Sequence, residues 1–420
     1  MVFTDFIKNE KFKLEILSFI CALIVPLLVL GPFFPDLIIS TLGLWFIYHT
    51  FKNKIFFIYK NKFFLIFISF CFICILSSLL SSNILFSLKS SLFYFRIVIF
   101  ALLISYLIKK KSNILNYFYL AFIITFSVVI IDSLIQYIFG TNLSGHKIQS
   151  NRISSFFADE LILGSYLTRL FPLFVALFFF RSKTIITEKF FLLVIFLLTY
   201  IVVFLSGERA AFAILNLSIF FMIIFTKKYK IEKISLLIIS ILLLFIIGKN
   251  NPFYFDRYIE SFKSSFNHNR QIEESYIFTP AHHSLMKTAV NMYLDKPILG
   301  HGPRLFRIKC KEPKYAYGIK PCDIHPHNFY VQLLAETGTL GFAYLAGAFL
   351  YFVYLMILHI FEFFIHKRNL FTDYQICLLA GILITIWPIT TNGNFFTNNL
   401  MIFYGLQFGF FFNNKQLSLR

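Results

Sequence analysis

The sequence predicts an all-α polytopic membrane protein with about twelve transmembrane helices and both termini in the cytoplasm. Three observations carry that prediction. Hydrophobic residues make up 58% of the 420-residue chain and charged residues only 14%, too little polar surface to cover a soluble fold of this size. The apolar residues gather into runs of roughly 15 to 20, about the length a helix needs to cross a bilayer. The breaks between runs alternate between strongly basic and almost uncharged.

In chain order the expected spans are Ile16–Leu30, Leu37–Tyr48, Phe63–Leu80, Leu92–Ile108, Ile114–Ile131, Leu161–Phe180, Phe190–Phe204, Ala211–Phe225, Ile234–Ile247, Leu340–His359, Tyr374–Trp387 and Leu400–Phe412. One set of loops carries Lys8, Lys11 and Lys13, then Lys52 to Lys62, Lys109 to Lys111, Arg181 to Lys189, Lys227 to Lys233, Lys367 with Arg368, and Lys415 with Arg420. The opposite short loops, such as Gly31–Asp36 and Thr390–Asn399, carry almost no basic residues. The positive-inside rule then places both termini in the cytoplasm. The net charge of +19 is mostly this topology signal. Nucleic-acid binding would need the bases clustered on a soluble face among aromatics, and they are not. No cleavable signal peptide is expected, the first span being its own insertion signal.

Two long loops fall on the external face, Phe139 to Glu160 and Gly248 to Thr339. The second, between spans nine and ten, is the longest polar stretch, and loops of that length are usually functional. Residues 1–420 read as one integral membrane domain, with 248–339 as its periplasmic loop. Inside the loop, Thr279-Pro280 has the form of an N-cap followed by a first-turn proline. Leu285, Met286, Ala289, Val290 and Tyr293 then form an apolar stripe, so an amphipathic helix is expected on the membrane surface. Lys296-Pro297 ends it, and Gly300-His301-Gly302-Pro303 makes a tight turn. Cys310 and Cys322, twelve positions apart, bracket a polar excursion. In an oxidising periplasm they are placed to form a disulfide; the alternative is two free thiols.

The chemistry-bearing residues gather on the same face. His325-Pro326-His327-Asn328 closes the long loop. Steps of four and three from His327 through Val331, Leu334 and Gly338 to Gly341 place these residues on one helical face. The two glycines there would let another backbone come close. Arg209, in Ser206-Gly207-Glu208-Arg209, opens a helix, where a guanidinium fork joins free N–H groups in favouring a phosphate; the competing reading is an arginine snorkelling to headgroups. Arg152 lies in the other long loop, while Arg304 and Arg307 follow the glycine turn. Arg96 and Arg169 lie near the outer ends of spans, where either could be structural. Cys or carboxylate partners at zinc-site spacing do not accompany His282, His283, His325 and His327, so no metal is expected. Nor does any nucleophile elbow support a serine hydrolase.

His327-Asn328, nine residues, Gly338, two residues, Gly341 resembles the signature of the O-antigen ligase and polymerase superfamily, bacterial membrane glycosyltransferases acting on undecaprenyl-diphosphate-linked glycans. Gly207-Glu208-Arg209 resembles the family's arginine at the outer end of a span. Lys296-Pro297-Ile298-Leu299-Gly300-His301-Gly302-Pro303 resembles its Pro-x-x-Gly-x-Gly turn, and Phe306-Arg307-x-x-Cys310 with Cys322 resembles one subgroup. The likeness covers about Arg152 to Phe342. It implies a metal-independent, inverting, cofactor-free glycosyltransferase of the inner membrane, working on its periplasmic face. His327 would be the catalytic base, and Arg209, Arg152, Arg304, Arg307, Glu208, His283, His325 and Asn328 would bind substrate. Gly338, Gly341, Cys310 and Cys322 would be structural. The implied partners are an undecaprenyl-diphosphate-linked glycan, a lipid A core or other glycan acceptor, and membrane lipids, with no nucleic acid. An acceptor on lipid A core would make the protein a ligase, and a second lipid-linked glycan would make it a polymerase. One departure is that many members have an arginine in the amphipathic helix, where this chain has His282-His283. A multi-span transporter is the competing class. Carriers, however, place binding groups near the midplane and show two related halves, whereas here the ionisable residues gather at the outer face.

Overall fold

A chain surrounded by lipid must close its backbone hydrogen bonds within itself. The computed structural model describes residues 10–180, 186–260 and 278–412. Among the described residues all regular structure is helical, apart from two isolated bridges in the 141–152 segment.

The main helices are α1 (Glu10–Leu30), α2 (Phe33–Lys52), α3 (Lys62–Leu79), α4 (Ile84–Lys109), α5 (Ile114–Phe139), α6 (Leu163–Phe180), α7 (Ile186–Leu205), α8 (Arg209–Phe225), α9 (Lys230–Asn250), α10 (Pro280–Asp295), α11 (Phe329–Ile365), α12 (Asp373–Thr385) and α13 (Asn398–Phe411). Eight of them (α1, α3, α4, α5, α6, α7, α9 and α11) are long and apolar enough to cross a membrane, judged by length and composition. The twelve apolar runs read from the sequence all fall on helices, but four fall outside that set, on α2, α8, α12 and α13. Of the expected basic anchors, Lys8, Arg181, Lys183, Lys415 and Arg420 lie outside the described residues, as does the 261–277 part of the long loop.

Helix starts follow local chemistry. Asn61 accepts from the amide of Phe63 at 2.8 Å, and Thr372 forms a capping box with Gln375. The loop helix α10 begins as its sequence predicts, with Thr279 as N-cap and Pro280 in the first turn. At the centre, α6 is buried along nearly its whole length and packs against α12, while α13 packs against α4. Phe118, Phe122, Phe126 and Phe174 interlock there, with ring centroids 5.1 to 5.8 Å apart among Phe122, Phe126 and Phe174. By contrast α9 is exposed almost throughout, with Ile238, Leu242 and Phe245 open, as a lipid-facing helix would be.

Two departures from the sequence reading matter for the site. The helix expected from His327 into span ten is α11, but it starts at Phe329, and His327 stands outside it with a left-handed backbone, φ 59°. The helix is also broken at Gly338, with φ 65° and ψ −166°. His327, Val331, Leu334, Gly338 and Gly341 therefore do not line one continuous helical face. The periodicity was real only within the turn or two after the cap.

Candidate active site

The site is assembled where one set of helix ends meets. Its first part is the turn between α7 and α8. Gly207, with φ 65°, reverses the chain, and two arginines bind the exposed carbonyls: Arg152 Nε donates to Ser206 O at 2.8 Å and Arg257 Nε to Gly207 O at 2.5 Å. Arg209 stands on the first turn of α8, and the charges of Arg152, Arg209 and Arg257 act on one another. Burial pulls Arg152 and Arg257 below the usual arginine range, and their neighbouring guanidiniums add to it. Glu208, the acid of this turn, faces inward. Its oxygens accept from Gly164 N at 2.6 Å, Ser165 N at 3.1 Å and Ser165 Oγ at 2.7 Å, so it caps the start of α6. Burial pushes its carboxyl up, against the lowering effect of those bonds and of Arg152.

The second part is the joint between the glycine turn and α11. His301 N donates to Ala335 O at 3.0 Å, Gly302 N to Glu336 O at 2.8 Å, and Thr339 N to Pro297 O at 2.7 Å. A Cβ on Gly300 would lie 2.5 Å from the Glu336 carbonyl carbon, and one on Gly338 would overlap the Ile298 carbonyl. Both positions also need φ near 65°, so only glycine fits. Gly341 behaves differently from the sequence expectation. Because the helix is broken at Gly338, what a side chain there would strike is Thr337 of the same helix, not another backbone. From the same turn, Arg304 donates to Ser90 Oγ at 3.4 Å, and Arg307 rides on the single turn Phe306–Lys309. Cys310 and Cys322 are joined by a disulfide, with Cα atoms 5.1 Å apart. It ties that turn to the strip entering the histidine motif.

The histidines form the third part. The ring centroid of His327 lies 4.1 Å from that of His325 and 4.8 Å from that of His282 on α10. His327 Nε2 is 3.8 Å from Asp323 Oδ2, an ion-pair separation, and Asp323 is itself 2.5 Å from Lys320 Nζ. Burial holds His327 below its ordinary value of 6.5 and outweighs the raising effect of Asp323. His282 and His325 are pulled down to about 4, by burial first and then by the His327 charge. Near neutral pH all three rings are uncharged. His283 turns away from this row, its ring 6.2 Å from that of Tyr317. Asn328 is the N-cap of α11: its Oδ1 accepts from Tyr330 N at 3.0 Å and Val331 N at 3.1 Å, and its Nδ2 donates to Pro388 O at 2.8 Å. Among the described residues no group of three or more His, Cys, Asp or Glu is arranged to hold a metal.

Four residues that the sequence reading gave no part in this site complete it. Asn392 N donates to His327 O at 2.8 Å, and Asn392 O pairs with His325 Nε2 at 3.2 Å. Arg169, fully inside the bundle, donates to Asn392 Oδ1 at 3.0 Å. Asp323 and Arg257 are the other two. Arg96, by contrast, is a structural ion pair, 2.6 Å from Asp36. Asn392 sits in an asparagine-rich loop without a motif, and Arg257 in the short π-helical turn Asp256–Glu260. Only the tertiary fold brings either of them to the histidines or the arginines.

Residues 192–346, which run from α7 through the first turns after the α11 break, match the family described as O-antigen ligase. The match supports a place in the O-antigen ligase and polymerase superfamily for this segment of the chain. The matched segment holds Arg209, Arg257, the glycine turn, the disulfide and all the site histidines; Arg152, Arg169 and Asn392 reach it from outside. No curated protein matches the chain.

Proposed function

We propose that the protein is an inner-membrane glycosyltransferase that moves a glycan from undecaprenyl diphosphate to a sugar hydroxyl at the periplasmic face, acting as a ligase on lipid A core. The observation that carries this reading is His327, set 3.8 Å from Asp323 and between the tilted rings of His282 and His325. In the reaction the acceptor oxygen attacks the anomeric carbon, and the bond from that carbon to the diphosphate oxygen breaks. The diphosphate leaves with the bonding electrons, and the acceptor proton passes to the His327 imidazole. Asp323 stabilises the imidazolium so formed. Arg209, with Arg152 and Arg257 behind it, meets the charge growing on the leaving diphosphate, and such preorganised donors act most strongly where water is scarce. Direct displacement inverts the anomeric centre and needs neither a metal nor a cofactor.

The test uses the full chain in vesicles, with a lipid-linked glycan donor and a lipid A core acceptor. Wild type should form the new glycosidic bond, and His327→Ala should lose roughly 10²- to 10⁴-fold in rate, the usual worth of a general base. A variant within about threefold of wild type would remove His327 from the chemistry, since that corresponds to only ~0.7 kcal/mol of barrier. Lipopolysaccharide from a deletion strain separates the two family activities. Loss of all polymer on the core marks a ligase, and a single attached repeat marks a polymerase.

A further inference from the structure

We infer that Arg304 and Arg307 form a second anion subsite, distinct from the Arg152–Arg209–Arg257 cluster, which recognises a phosphate or carboxylate carried by the acceptor glycan; this rests on the transferase reading above. The two arginines stand on the turn that follows Gly302, held by the Arg304 backbone at φ 63° and by the Cys310–Cys322 bond. Their electrostatics are unfinished. The Nε atoms of both are buried without a partner, and among the described residues the Arg307 guanidinium makes no hydrogen bond or ion pair. Arg304 has only the 3.4 Å contact to Ser90 Oγ. The acid whose charge reaches Arg307 is Glu336, and its oxygens already accept from Phe306 N at 3.0 Å and Gln332 Nε2 at 2.9 Å. Arg304 meanwhile repels it. Two half-buried cations side by side, with their donors unspent, are unfavourable until an anion arrives. A phosphate or carboxylate fits the guanidinium fork in two-point fashion.

Position assigns that anion to the acceptor. The rings run in the order His282, His327, His325; among the cations, Lys320 and then Arg209 act on His282, and Arg307 acts on His325 at the other end. If the leaving diphosphate occupies the Arg209 end, an anion at the Arg307 end belongs to the other substrate. Its attacking hydroxyl would then lie over His327, between the two.

The test measures binding without donor, using the full chain in nanodiscs of zwitterionic phospholipid. The probes are a lipid A core glycolipid phosphorylated on its core sugars and the same glycolipid after chemical dephosphorylation. Wild type should prefer the phosphorylated form by about tenfold or more, as charge-assisted hydrogen bonds allow, and the preference should shrink with added salt. Arg304→Gln/Arg307→Gln should bring the two affinities within about twofold. Equal binding of both probes by wild type overturns the inference, as does a preference that survives in the double variant. So does one abolished by adding anionic phospholipid, which would make this a headgroup site. Should the double variant not fold, the wild-type ratio and its salt dependence decide alone. A persistent preference with no glycosidic bond formed under the conditions of the transfer assay would count against the transferase reading and leave the subsite standing.

Discussion

The His327 main chain is held by a residue more than sixty positions away, and that residue is held in turn by a buried arginine. Asn392 fixes His327 through its backbone N–H and His325 through its carbonyl, while its own Oδ1 takes a hydrogen bond from Arg169. Asn392→Ala leaves the Arg169 charge short of a partner inside the bundle, a loss of about 1.5–3 kcal/mol for a hydrogen bond to a charged group. The expected outcome is a lower melting temperature together with a fall in kcat that exceeds any change in donor KM. A variant that melts early but transfers at the wild-type rate would reduce Asn392 to a packing residue. Residues of this kind escape sequence reading. His327 and Asn328 stand next to each other and follow a known spacing, but Asn392 is one asparagine among several and acts mainly through its backbone. Arg257 likewise becomes legible only once Gly207 O is seen beneath it.

At the level of elements, the joint between the glycine turn and α11 and the histidine row make separate predictions. Gly338→Ala puts a side chain into a backbone region that L-residues avoid, at a cost of order 1–3 kcal/mol, and drives it into the Ile298 carbonyl. The variant should insert poorly or melt well below wild type in a detergent thermal-shift assay; a melt within about 2 °C of wild type would show that the joint yields. The histidine row responds to acid. In the fold His282 and His325 protonate near pH 4, and in an unfolded chain near 6.5. Between those values the unfolded state binds more protons, so stability rises with pH there. The contribution is complete above about 6.5 and is lost as pH falls towards about 4. The apparent melting temperature of wild type should drop across that window, and the drop should be smaller in His282→Gln/His325→Gln. A flat profile for wild type would mean the rings are already charged or already solvated. The starts of α10 and of most spans were legible because caps and hydrophobic runs are local signals. The break in α11 was not, because nothing local in 329–341 shows that the Ile298 carbonyl packs against Gly338.

For the whole molecule, the order and place of the apolar runs were readable from hydrophobicity, whereas length and composition together single out eight helices, and four of the runs form helices outside that set. Which end of the bundle faces out is an expectation from charge, and it has a direct check. Ile319 is 80% exposed on the disulfide-bridged loop, while the four free cysteines are buried and should stay unreactive. Ile319→Cys should react with a membrane-impermeant thiol reagent added to intact spheroplasts, and Lys54→Cys should not. The reverse pattern would invert the orientation and remove the active site from the periplasm. The clamped break in α11 also limits how the molecule can move. A glycine bend in a long helix is normally where such a helix flexes, but here four backbone hydrogen bonds and a space with no room for a methyl group fasten it to the loop. It is a locked joint, so the loop and the start of α11 move as one lever. Any widening of the site has its pivot elsewhere.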